Sequence, residues 1–196
     1  MKHLIKTIFL SIIFSSSISC GNKQSKINIS EQKSISKFDE NKSRKEGFQI
    51  FKNENFIIKC VGELKLDQER IEYFKQNNLG TNATPFHVYI NETDYNINVI
   101  NMSSLYDGIS KSELTKYQNE DLDNYETNLK SNGIEYERGK LNDINCIYYQ
   151  NNQDGKLSKA VYFENGLNSY LLQVTSKGNT DNLFNEFVHS FEIINN

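Results

Sequence analysis

Apolar and polar residues alternate most clearly over residues 86–90 and 95–99. Phe86, Val88 and Ile90 alternate with His87 and Tyr89, and Tyr95, Ile97 and Val99 alternate with Asn96 and Asn98. A period of two is that of a strand with one buried face, and the intervening Asn91-Glu92-Thr93-Asp94 predicts a hairpin. An earlier hairpin is predicted from Phe48-Gln49-Ile50-Phe51 and Phe56-Ile57-Ile58-Lys59-Cys60 around Lys52-Asn53-Glu54-Asn55. Asp67 to Asn78 reads as a short helix with Ile71, Tyr73 and Phe74 on one side. Ser110-Lys111-Ser112-Glu113 is a capping-box signature, and Leu114, Tyr117, Leu122, Tyr125 and Leu129 behind it form one helical stripe that Asn132-Gly133 stops. The spacing predicts a helix over 110–131. Four strands follow, over 134–139, 144–151, 157–164 and 167–176, with Asp154-Gly155 and Asn165-Gly166 as turn dipeptides. Thr180 is then placed to cap a last helix whose Leu183, Phe184, Phe187, Val188 and Phe191 share a face. Hairpin-joined strands are antiparallel and each helix needs a surface to cover. The expected fold is therefore α+β: an antiparallel sheet of about six to eight strands carrying a long central helix and a C-terminal helix.

The amino terminus follows a different rule. Lys2 and Lys6 precede an uncharged stretch from Thr7 to Ile18, and Ser19-Cys20 closes it, which is the layout of a secretory signal. About 18 Å of helix is too short to remain as a membrane span. Ser17-Ile18-Ser19-Cys20-Gly21 resembles a bacterial lipobox, with Ser17 where Leu is commonest, a loosened form similar to that of Bacteroidetes. The resemblance implies cleavage after residue 19 and a membrane anchor through acyl chains on Cys20. Two or more such chains hold a protein stably on a bilayer, where a single one is marginal. Gly21 replaces the Asp that marks inner-membrane retention, and Gly21-Asn22-Lys23-Gln24-Ser25-Lys26 has no acidic export cluster, so the expected address is the periplasmic face of the outer membrane.

Residues 20–46 hold Ile27, Ile29, Ile35 and Phe38 without a sustained period among Ser, Lys, Gln, Asn and Glu, and read as a tether. The single domain is expected over 47–196. Charge separates the two. The formal net charge of −3 conceals seven basic against four acidic residues over 20–47, and 13 basic against 21 acidic residues over 48–196. An acidic head excludes a nucleic-acid binder of the usual basic kind, and 23 Phe and Tyr residues exclude a wholly disordered chain.

The order of elements is similar to that of the PsbP/Mog1-like superfamily. The residues that carry the resemblance are Phe56-Ile57-Ile58-Lys59-Cys60, Lys159-Ala160-Val161-Tyr162-Phe163, Tyr170-Leu171-Leu172-Gln173-Val174-Thr175 and the closing Phe184-Asn185-Glu186-Phe187-Val188-His189-Ser190-Phe191. It implies an α/β/α sandwich. Its members differ in function, so it transfers no catalytic residue.

Candidate chemistry is sparse. With Cys20 acylated, Cys60 and Cys146 remain, and two readings stay open: a disulfide closing an 87-residue loop, or two separate buried thiols. His87 and His189 are the only histidines after the signal, and no metal-ligand spacing or cofactor motif is present. The run Gln150-Asn151-Asn152-Gln153-Asp154-Gly155 echoes a calcium loop but has Gln150 and Val161 where acids are required. Glu120, Asp121, Asp123 and Glu126 on the long helix form a candidate docking surface for an envelope protein, and the tyrosines of the strand meander form another. The expected function is a lipid-anchored, non-catalytic binding or accessory module of the envelope. An immunity-type lipoprotein that neutralises a periplasmic toxin is a second class, and a hydrolase, short of bases, a third.

Overall fold

The structure, a computed structural model, describes residues 47–77 and 82–194. The signal and tether expected over 1–46, Cys20 included, lie outside the described residues. Two-residue turns build most of the sheet. β4 (Ala83–Ile90) and β5 (Thr93–Asn101) are joined by Asn91-Glu92, both at positive φ, so the turn is shorter than the four residues the sequence suggests and Thr93 opens the next strand. β6 (Glu135–Leu141) and β7 (Ile144–Gln153) meet at Asn142-Asp143, and β7 meets β8 (Lys156–Asn165) at Asp154-Gly155, again with positive φ throughout. These are type I′ geometries, whose twist matches that of the strands. Between β8 and β9 (Asn168–Ser176) the loop is Gly166-Leu167, with positive φ at the glycine alone. The glycine thus takes the first central position of a II′ turn, one residue later than an Asn-Gly turn would set it.

With β3 (Lys65–Leu66) at one edge, these strands form a seven-stranded antiparallel sheet in the order β3-β4-β5-β9-β8-β7-β6. A second sheet pairs β1 (Gln49–Lys52), β2 (Phe56–Cys60) and β10 (Glu192–Ile193) in the order β1-β2-β10. The opening hairpin belongs to this separate sheet. Where the sequence suggested one sheet, there are two.

Strand alternation gives the large sheet two apolar faces. Tyr95, Ile97, Val99, Val161, Phe163, Tyr170, Leu172 and Val174 look one way and are covered by Phe56 and Ile58 of β2 and by Phe184, Phe187 and Val188 of α3 (Thr180–His189). Phe191 sits at the junction, stacked on Phe56 at 5.2 Å and edge-on to Phe163 and Tyr170 at 5.5 Å each. Each such ring contributes about 1.5–3 kcal/mol on full burial. On the opposite face Ile147, Ala160, Tyr162 and Leu171 meet Leu122, Tyr125 and Leu129 of α2 (Lys111–Ser131). Helices on both sides of one sheet make the α+β sandwich.

The capping box forms as the sequence predicts. Ser110 N–H donates to Glu113 Oε2 at 3.0 Å and Glu113 N–H donates to Ser110 Oγ at 3.4 Å. Thr180 does not cap α3. Asn179 takes the cap position in a left-handed conformation, and the Thr180 hydroxyl turns back to donate to Ser176 O at 3.4 Å. α1 (Gln68–Gln76) buries no residue and rests on β4 through its cap, where Asp67 N–H donates to Pro85 O at 2.9 Å.

Candidate functional site

The acidic positions of α2 separate in the fold. Asp121 lies four residues from both Tyr117 and Tyr125, on the stripe that faces the sheet, and is 6% exposed. Its Oδ2 accepts from the Tyr106 hydroxyl at 2.9 Å, and Glu164 Oε2 lies 3.3 Å from the same hydroxyl. Glu164 Oε1 accepts from Tyr162 at 2.6 Å. A hydroxyl has one proton, so Tyr106 donates to one carboxylate at a time. Burial, then the charges of Glu164 and Asp121, push the Tyr106 hydroxyl far above the usual tyrosine range. Asp123 and Glu126 stay at the rim, where both hold Arg138 of β6, and the Tyr136 hydroxyl donates to Glu126 at 3.1 Å. Glu120 is 3.8 Å from Lys116. Thus Asp121 leaves the predicted docking surface, and Asp123 and Glu126 spend their charge on a strand of the same domain. The tyrosines fare similarly: Tyr148, Tyr162 and Tyr170 are buried.

Cys60 and Cys146 are buried free thiols. Cys60 lies in the three-stranded sheet and Cys146 on β7 of the other, opposite Phe163. Each is packed within the apolar cluster, where burial pushes its thiol up to about 12. Of the two alternatives, this structure shows the separate buried thiols. His189 Nδ1 is 2.8 Å from Asn185 O at the end of α3, while the neighbouring Ser190 hydroxyl donates to Phe187 O at 2.8 Å and accepts from Lys59 N–H at 3.0 Å. The pair serves helix termination and docking onto β2. Among the described residues no group of three or more His, Cys, Asp or Glu side chains is arranged to hold a metal, and no helix is long and apolar enough to cross a membrane.

What the fold does assemble is a row of polar side chains on the α2 side of the large sheet, reached by Arg70 of α1. β5 carries it. Asp94, Asn96 and Asn98 point to this face at every second residue, while Tyr95, Ile97 and Val99 point into the core. Asn96 is 3% exposed, and its Oδ1 accepts from Arg70 Nη1 of α1 at 3.3 Å. Arg70 Nε is 3.5 Å from Asp67. Asp94 Oδ1 is 2.8 Å from His87 Nε2 on β4. That approach is not aligned as a hydrogen bond, and Asp94 Oδ1 and Asn98 Oδ1 are buried acceptors without a hydrogen-bond donor among the described residues. On the far side, β9 sets Gln173 beside Asn96 and Thr175 beside Asp94. Both reach Ser158 Oγ of β8, Gln173 Nε2 at 2.6 Å and Thr175 Oγ1 at 3.0 Å. Tyr89, 58% exposed, stands opposite Asp94 at the end of the row. In the sequence Asn96 and Asn98 read only as the solvent side of a strand. The signal available was their chemistry: carboxylate and amide groups at three successive positions of one face.

No protein-family model matches the sequence, and no curated protein matches it. Among solved structures, the chain is similar to a protein from Bacteroides thetaiotaomicron VPI-5482, in a crystal structure at 1.50 Å resolution, with 14% identity and a TM-score of 0.42. The match covers 71% of this chain and 45% of that one, so the chain spans less than half of that protein's length.

Proposed function

We propose that this chain is a lipid-anchored envelope protein, held at the periplasmic face of the outer membrane by acyl chains on Cys20, whose PsbP/Mog1-like head is a non-catalytic binding module. The observation that carries the reading is the sequence from Met1 to Gly21: two basic residues, an uncharged stretch, and Ser17-Ile18-Ser19-Cys20-Gly21 at its end. Acylation at Cys20 and a tether of about 26 residues let the head stand some 25–31 Å from the bilayer on average. The polar face of β5, with the exposed Tyr89 at its end, supports a binding role. In place of the acidic helix, it is the face we assign to binding another envelope component.

Metabolic labelling with an alkyne fatty acid and detergent-phase partitioning test the anchor. The full chain is expected to take up label and enter the detergent phase, and Cys20→Ser to do neither. Wild-type protein that is unlabelled and released in soluble form would refute the anchor. Density-gradient separation of membranes then checks the outer-membrane address.

A further inference from the structure

The two apolar faces of the large sheet are built from different aromatics. Phe56, Phe163, Phe184, Phe187 and Phe191 dominate the α3 side, whereas on the α2 side every ring of the cluster is a tyrosine: Tyr125 and Tyr162 at its centre, Tyr136 and Tyr149 at its rim. Phenylalanine has nearly the same shape and brings no hydroxyl that must be satisfied on burial. Close packing alone therefore does not ask for tyrosine here. It asks still less for Glu164, a carboxylate only 6% exposed that accepts from the Tyr162 hydroxyl at 2.6 Å.

The rings are arranged as a path from the surface to that carboxylate. Tyr149 of β7 is half-buried at the rim, and the Tyr125 hydroxyl of α2 donates to its hydroxyl at 3.1 Å. Tyr125, fully buried, lies flat on Tyr162 of β8, with ring centroids 4.2 Å apart and planes within 7°. Stacked π systems at that separation overlap, so an electron passes between them. Tyr162 ends the path at Glu164. A phenol gives up an electron easily only when its proton has somewhere to go, because the oxidised, still-protonated ring is a strong acid. A carboxylate held by a short hydrogen bond is such an acceptor. The chain has no Trp, and Cys60 and Cys146 lie on the other face of the sheet, so neither an indole nor a thiol intercepts the electron vacancy on this path.

We infer that Tyr162 and Glu164 form a redox-active pair, connected to the surface through Tyr125 and Tyr149, that gives one electron to a small diffusible one-electron oxidant. The electron leaves Tyr162 by way of Tyr125 and Tyr149, the O–H bond of Tyr162 breaks, and a new O–H bond forms at Glu164 Oε1. The products are a neutral Tyr162 radical, a protonated Glu164 and the oxidant reduced by one electron. Burial shields this radical from coupling to a radical on another molecule, so it outlives one formed at the exposed Tyr73 or Tyr89. The activity goes beyond the binding role proposed above and depends neither on the β5 face nor on Cys20.

The test uses the full mature chain from residue 20 with Cys20→Ser, carrying Tyr73→Phe and Tyr89→Phe so that the exposed tyrosines do not contribute. A tris-bipyridyl ruthenium complex, photo-oxidised with pentaamminechlorocobalt(III) as electron acceptor, serves as the one-electron oxidant, and samples frozen after the flash are read by electron paramagnetic resonance. A neutral tyrosyl signal is expected that outlives the signal of the same protein unfolded in urea. Its β-proton couplings should be narrow, because a packed ring holds one torsion, a readout that needs no substitution in the path. Tyr162→Phe and Glu164→Gln should each abolish the long-lived signal, and Tyr149→Phe should lower its yield without altering the couplings, with near-ultraviolet circular dichroism checking that each variant is folded. The inference is overturned if the folded protein forms no radical longer-lived than the unfolded chain, if the couplings are spread as on a mobile side chain, or if folded Tyr162→Phe or Glu164→Gln keeps the signal. Where a variant fails to fold, the lifetime and couplings of the unsubstituted path decide. None of those results bears on the labelling of Cys20, so the two readings fail separately.

Discussion

Tyr106 and Asp121 meet through a 2.9 Å hydrogen bond inside the domain, although Asp121 belongs to a helix whose neighbouring acids face water. The contact ties the segment before α2 to the helix, and Glu164 of β8 joins the same hydroxyl. Removing the Asp121 carboxylate leaves a buried hydroxyl to find another partner, a loss of about 1–3 kcal/mol. Asp121→Ala is therefore expected to lower the urea midpoint clearly, whereas Asp123→Ala, at an exposed salt bridge, should change stability by no more than about 0.5 kcal/mol. Equal effects would return Asp121 to the surface.

The burial of ionisable groups fixes how the domain responds to alkali. Burial raises the Cys60 and Cys146 thiols from 9 to about 12, and burial followed by the charges of Cys60 and Glu186 raises Tyr95 from 10 to about 12. In each the neutral, protonated form is the one the fold accepts. Because the folded values exceed the unfolded ones, their contribution to stability is complete below pH 9 and is lost as pH rises through 9 to 12. Urea midpoints should hold between pH 7 and about 9 and fall beyond it. The tyrosinate absorbance of the buried rings should appear together with loss of near-ultraviolet circular dichroism, and ionisation of those rings in a still-folded protein would contradict the burial.

The two thiols give a test that separates the alternatives open at the level of sequence. In the folded state both are enclosed by the apolar cluster, so alkylation in native buffer should leave Cys60 and Cys146 unmodified. In denaturant without reductant both should be labelled, adding two mass increments to a Cys20→Ser chain. A mass without label in denaturant, gained only after reduction, would show that the chain closes the bridge.

Periodicity made the elements legible because most strands bury one face and most helices bury one stripe. The 110–131 helix, its capping box and the four-strand meander follow from residues within a turn or two of one another. Assignment of strands to sheets did not follow. The pairing of Phe56 to Cys60 with Glu192 and Ile193, which are far apart in sequence, is what removes the opening hairpin from the large sheet, and no local pattern encodes it. Asp121 was misplaced for a related reason. Its spacing from Tyr117 and Tyr125 already put it on the buried stripe, but its charge suggested solvent, and only the Tyr106 hydroxyl, from another segment, makes that burial tolerable. The polar face needed three elements at once, since Arg70, Asn96 and Gln173 lie on α1, β5 and β9.

Gly139 of β6 shows how closely the edge strand packs on its neighbour. It pairs with Cys146, and a Cβ built on it would stand 2.9 Å from Tyr148 Cε2, closer than a carbon pair tolerates. The Tyr148 ring has little freedom to retreat, being 4% exposed, edge-on to Phe184 at 6.3 Å, with its hydroxyl 3.3 Å from Lys140 O. Gly139 is not among the residues at positive φ, so its backbone accepts alanine, and an unstrained Gly→Ala change stabilises by about 0.4–1 kcal/mol through the unfolded state. Overpacking costs about 1–3 kcal/mol and decides the sign. Gly139→Ala should therefore destabilise in wild-type background. Combined with Tyr148→Leu, which removes the ring, it should turn neutral or stabilising relative to Tyr148→Leu alone. That coupling, read from urea unfolding of the four proteins, isolates the ring contact from the backbone effect. Additive single and double substitutions would mean that the ring does not limit the approach of β6.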